Sequence, residues 1–172
     1  DIEKIIHDCD EEMYSNKLFK KPIVSQSAIE SILKLLYDKH PEEEKIVEKV
    51  IKLAHRIGKH LNFSVVRLEK LEKAAKLSRV GMITDTRHTP EECEYLPEDA
   101  YRIVKAIPTL QDVASILIGV CEHYDGGGHP NGYKKEMIST DSQIIGLSLY
   151  LVLHGYQNLL GDELKAVLND KS

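Results

Sequence analysis

The stretch Asp125-Gly126-Gly127-Gly128-His129-Pro130-Asn131-Gly132 is where this sequence concentrates its unusual residues. Four glycines and a proline in eight residues demand a turning backbone, with some positions at positive φ. The segment reads either as a helix-to-helix connector or as a loop on which another molecule lies close. It is not a phosphate cradle of the GxxxxGK type, because no Lys-Ser or Lys-Thr follows. His123, Asp125 and His129 cluster here and could reach one cation from the loop. Glu122 and Asp125, three apart, could share a helical face as an acid–base pair, although Asp125 is better suited to capping and to bonding loop amides. His55 and His60 are separated by about 140° around a helix and cannot chelate one ion together. His7, His40, His60 and His88 read as exposed polar residues, and Cys121, in an apolar segment, as a small core residue.

The elements that must position these groups are helical throughout. Apolar residues recur at helical spacing and no strand alternation appears. Ser25 or Ser27 can cap a helix carrying Ile29, Ile32, Leu33 and Leu36, which His40-Pro41 ends. Pro41-Glu42-Glu43-Glu44 opens the next helix, since proline and acids suit a first turn. Ser64 starts a fourth helix, with Gly81 near its end. Thr89-Pro90-Glu91-Glu92 reads as a capping box that opens a short helix running to about Ala106, bent at Pro97. Leu110–Tyr124 reads as one central helix, apolar on nearly all sides. Ser139 or Thr140 caps a last long helix, which Gly161 breaks before a short terminal one. The expectation is an all-α bundle of six to eight helices, two of them inside.

Composition narrows the function classes. A chain of 172 residues suits one domain with a full core. Its 23 basic and 28 acidic residues give a net charge of −5, which predicts no broad basic surface for nucleic acid or acidic lipid. The longest apolar run, residues 144–153, is too short to span a bilayer, and no leader pattern is present. Cys9, Cys93 and Cys121 form no CxxC pair and read as the reduced thiols of a cytoplasmic protein. Asp1 to Lys17 is helical in pattern and opens without a cap, as if cut from something longer.

Residues 121–132 resemble the HHExxDGxGYPxG signature of the HD-GYP family. Ala74–Ile83 is similar to that family's AxLLHDIGKI, Thr89–Glu92 to its LTPEEW helix start, and Ile138–Leu153 to IPxxARIxxVADxFDAL. The resemblance implies an HD-type phosphohydrolase bundle, whose active members cleave cyclic di-GMP with iron or manganese. Here the ligand positions depart from the pattern. The HD pair falls on Ser78 and Arg79, the two histidines before Glu122 on Val120 and Cys121, and the VAD aspartate on Leu149. Asp99, near the position of a further histidine, is the one substitute able to coordinate. A hydroxyl, a guanidinium, a valine, a thiol and a leucine do not make a hard-cation site, so no catalytic residue and no cofactor is expected.

What persists is the scaffold and the loop built on Glu122, Asp125, Gly126, Gly128, His129, Pro130 and Gly132, expected to be an interaction surface. Cys9–Lys17 resembles the last helix of a GGDEF domain. The resemblance therefore implies residues 1–24 as the end of a diguanylate-cyclase-like domain plus linker, and 25–172 as a degenerate HD-GYP-like domain. It would be a regulatory module acting on a cyclase domain in cis or trans, with no nucleic-acid polymer as partner. A homodimer and bound cyclic di-GMP stay open. Two alternatives stand beside it. One is a phosphodiesterase with a site rearranged around Glu122, His123, Asp125, His129 and Asp99. The other is a non-hydrolysing nucleotide sensor that uses Arg79 for a phosphate.

Overall fold

The computed structural model describes residues 26–84 and 96–156. The expected GGDEF-like tail, the capping box at Thr89, the terminal helix after Gly161, and Cys9, Cys93, His7 and His88 lie outside those residues.

Among the described residues there are six α-helices, three short 3-10 turns and no strand. Helix α1 covers 26–39. Then come α2 (Glu42–His60), α3 (Val65–Leu77), α4 (Leu96–Lys105), α5 (Gln111–Leu117) and α6 (Thr140–Leu153). The all-α expectation holds, and most helix starts fall where the capping residues put them. Pro41 precedes α2 in helical dihedrals, with Glu42, Glu43 and Glu44 in the first turn. The Ser64 hydroxyl accepts from the Arg67 amide at the start of α3. Ser139 does the same for Ser142 at the start of α6.

The core is one cluster running from Ile29 and Leu36 on α1 through Val50 and Ala54 on α2 and Leu71 and Ala75 on α3 to Leu117 and Ile145. Helix α3 is tied to α6 by Arg67, whose guanidinium bonds Asp141 at 2.9 Å and lies 3.6 Å above the Phe63 ring. Burying aliphatic side chains of this kind yields roughly 1.5–3 kcal/mol each, so the stripes rather than local propensity hold the helices together.

Three local expectations are overturned. Gly81 does not end α3, which closes at Leu77 with Ser78 following. Gly81 lies instead in the 3-10 turn Val80–Ile83, where a Cβ would sit 2.4 Å from the Leu96 carbonyl oxygen. Gly81→Ala is expected to cost about 1–3 kcal/mol in a denaturant melt, because a backbone oxygen cannot step aside. Pro97 is buried near the start of α4, and the segment before Leu96, where a bend would show, lies outside the described residues. The central helix is far shorter than Leu110–Tyr124. It stops at Leu117, and Ile118 to Cys121 form turns, with Gly119 N–H donating to Ile116 and Val120 N–H to Leu117. The cause is close approach of α6: a Cβ on Gly146 would lie 2.4 Å from the Val120 oxygen, and one on Gly119 2.9 Å from Ser142 Oγ. Finally, α6 ends at Leu153, with Gly155 at φ 75° just beyond, before Gly161 is reached.

Candidate functional site

Three side chains from the α1–α2 corner grip the 3-10 turn that follows α3. Lys39 Nζ donates to the Ile83 carbonyl at 2.8 Å. His40 Nε2 lies 3.1 Å from the Met82 carbonyl oxygen. Glu43 takes Arg79 in a two-pronged pair, Nε to Oε2 at 2.9 Å and an Nη to Oε1 at 2.7 Å. Arg79 is 1% exposed and Glu43 2%. Such a fork matches guanidinium to carboxylate geometry and holds two opposite charges where water does not reach. Glu43 also lies in the first turn of α2, where the helix dipole favours an anion. The Tyr37 phenol nearby is pushed above its ordinary range, first by burial and then by Glu44, Glu48 and Glu43, so it stays protonated.

The opposite side of this turn faces α4. Thr84 Oγ1 lies 2.9 Å from both the Gly81 carbonyl oxygen and an Asp99 carboxylate oxygen. Asp99 also has Arg102 3.5 Å away on its own helix. Ser78 is buried and its hydroxyl donates to Ala75 at 2.8 Å, finishing α3. Val120 and Leu149 are core residues. Cys121 is half-exposed in a turn and is not the buried helical residue expected.

The glycine-rich loop is organised by Glu122, whose side chain is buried. One oxygen accepts the Asn131 amide at 2.6 Å and the other the Tyr133 amide at 2.8 Å. Gly126 at φ 88° and Gly132 at φ 63° supply the curvature that needs glycine. Gly128 is buried against backbone, where a Cβ would meet the His123 nitrogen at 2.2 Å. The Asp125 carboxylate accepts from the Gly127 amide at 2.8 Å. His129 is exposed, with its own amide bonded to the Cys121 oxygen at 3.0 Å, and Pro130 follows it in a cis peptide.

Glu122 and Asp125 therefore share no helix face, because the helix ends before either. Among the described residues, no group of three or more His, Cys, Asp or Glu side chains is placed to hold a metal ion. The site residues that sequence reasoning passed over are Glu43, His40 and Lys39. His40 is buried, not exposed as expected. Glu43 did carry a signal: with Val47, Val50 and Ala54 it continues the buried stripe of α2, a register in which an acid needs a partner.

The chain folds as the all-helical bundle of an HD-type phosphohydrolase-superfamily domain. The chain belongs to the HD domain family, whose profile matches residues 30–158. No curated protein matches it.

Proposed function

We propose that this HD domain is a catalytically silent, HD-GYP-type module in cyclic di-GMP signalling. In this reading residues 25–172 form the module and 1–24 end a GGDEF-like domain. The module acts on a cyclase domain in cis or trans, with the loop at 122–132 as its contact. The observation that carries the reading is the Arg79–Glu43 pair. At the position where the family resemblance asks for an aspartate ligand stands a buried guanidinium, already matched to a carboxylate. A guanidinium offers no lone pair to a metal and repels one. Ser78 spends its hydroxyl proton on Ala75, and Val120 and Leu149 offer hydrocarbon. These residues do not fit an iron or manganese centre. Nor does Arg79 suit a nucleotide phosphate, which would have to displace Glu43.

Purified full-length chain is expected to carry no stoichiometric iron or manganese, to leave cyclic di-GMP intact, and to melt at the same temperature with and without chelator. Elemental analysis, a turnover assay and a thermal melt check this. Bound metal together with turnover would overturn the reading.

A further inference from the structure

Folding sorts charge that the net value of −5 hides. On α2, Lys45, Lys49, Lys52, Arg56 and Lys59 recur at intervals of four and three, and all are exposed. That spacing lines one side of the helix opposite the buried stripe of Val47, Val50 and Ala54. The single acid among residues 45–60 is Glu48, 4.0 Å from Lys52. Helix α3, joined to α2 by a short turn, adds half-exposed Lys70, Lys73 and Lys76; of its two acids Glu69 is exposed and Glu72 pairs with His55. At the corner between the helices stand Leu61, Val65 and Val66, the two valines 71% and 77% exposed.

We infer that the outer face of the α2–α3 hairpin is a peripheral docking site for an anionic phospholipid bilayer. The row of cations from Lys45 to Lys59 is about 21 Å long, at 1.5 Å of helix rise per residue. Laterally mobile anionic headgroups can meet any cation spacing, so a row dominated by flexible lysines suits them. Two exposed valines beside the row add apolar surface that gains by entering the headgroup boundary. A nucleic-acid backbone offers valine nothing, and neither α2 nor α3 contains a Phe, Tyr or Trp on which a base could stack. The mode is surface binding, since no helix among the described residues is long and apolar enough to cross a membrane. The inference stands apart from the cyclic di-GMP reading and survives its failure.

The test is co-sedimentation of the full chain with vesicles of equal parts phosphatidylcholine and phosphatidylglycerol, against phosphatidylcholine alone. Binding is expected to the anionic vesicles only. It should weaken as salt rises from about 0.1 M to about 1 M, where the screening length falls from about 10 Å to about 3 Å. Each cation near the surface contributes about fivefold, so the triple variant Lys45→Ala, Lys49→Ala, Arg56→Ala should lose roughly 100-fold in partitioning. Val65→Ser with Val66→Ser should lose about tenfold. All five positions are exposed, and an unchanged circular-dichroism melt shows that the variants remain folded. Equal binding to neutral vesicles, no binding to either, or wild-type binding by both variants would overturn the assignment. So would tighter capture by duplex DNA that the valine substitutions leave unchanged, which would mark a binder of phosphate backbones.

Discussion

Arg79→Met is expected to lower the free energy of unfolding by about 3–5 kcal/mol, the largest loss for any single change considered in this fold. The reason is what stays behind. Glu43 is 2% exposed, and both its oxygens face the guanidinium. Without Arg79 a carboxylate remains buried with no counter-charge, and the enclosing helices must shift to let water in. Arg79→Lys should fall between. It keeps the charge but not the planar fork, so one of the two bonds is lost, costing about 1–3 kcal/mol. The decisive comparison is the double variant Arg79→Met with Glu43→Leu. Replacing both partners of a buried pair by hydrocarbon of similar volume is often neutral or stabilising, so most of the loss should return. Urea unfolding of the two singles and the double gives the coupling energy directly. Simple additivity of the two losses would show that the pair acts through packing and not through its charges.

This corner also shows what could be read in the sequence and what could not. The starts of α2, α3 and α6 were legible because Pro41, Ser64 and Ser139 act on neighbours within one turn. The apolar stripes of α1, α2 and α3 were legible because burial repeats with the helix period. The end of α5 was not. Val113 to Val120 is apolar but for Ser115, and periodicity says little where nearly every position is apolar. What ends that helix is the nearness of α6 at Gly119 and Gly146, contacts made across some 26 residues of chain. The partnership of Arg79 with Glu43 is more distant still, at 36 residues, and neither residue announces its partner. The density of glycines at 126–132 marked a turning backbone with positive φ correctly, but not the side chain that holds it. Glu122 looked like half of an acid–base pair, and its two oxygens are taken by amides nine and eleven residues on. The same limit applies to charge: the composition spoke against a basic surface, and only the helix register brings the α2 cations onto one side.

Glu122→Ala is expected to free the loop while leaving the bundle standing. The carboxylate is the shared acceptor for the Asn131 and Tyr133 amides, at 2.6 and 2.8 Å. Charge-assisted bonds of this kind are worth about 1.5–3 kcal/mol each, so removing both should lower the local opening energy by about 3 kcal/mol or more. The core residues of α3, α5 and α6 do not depend on this carboxylate, so the global unfolding transition should move less than the loop does. Amide hydrogen exchange separates the two. Asn131 and Tyr133 should exchange roughly 100-fold faster, while amides in the middle of α3 stay protected. Glu122→Gln keeps an acceptor oxygen without the full charge and should lie between. Gly128→Ala attacks the same loop from the other side, since its Cβ would strike the backbone at Cys121, Glu122 and His123. If both variants loosen residues 125–133 and both weaken the proposed contact with a cyclase domain, the loop's shape is what such a partner reads. If exchange at Asn131 and Tyr133 is unchanged in Glu122→Ala, this carboxylate does not hold the loop.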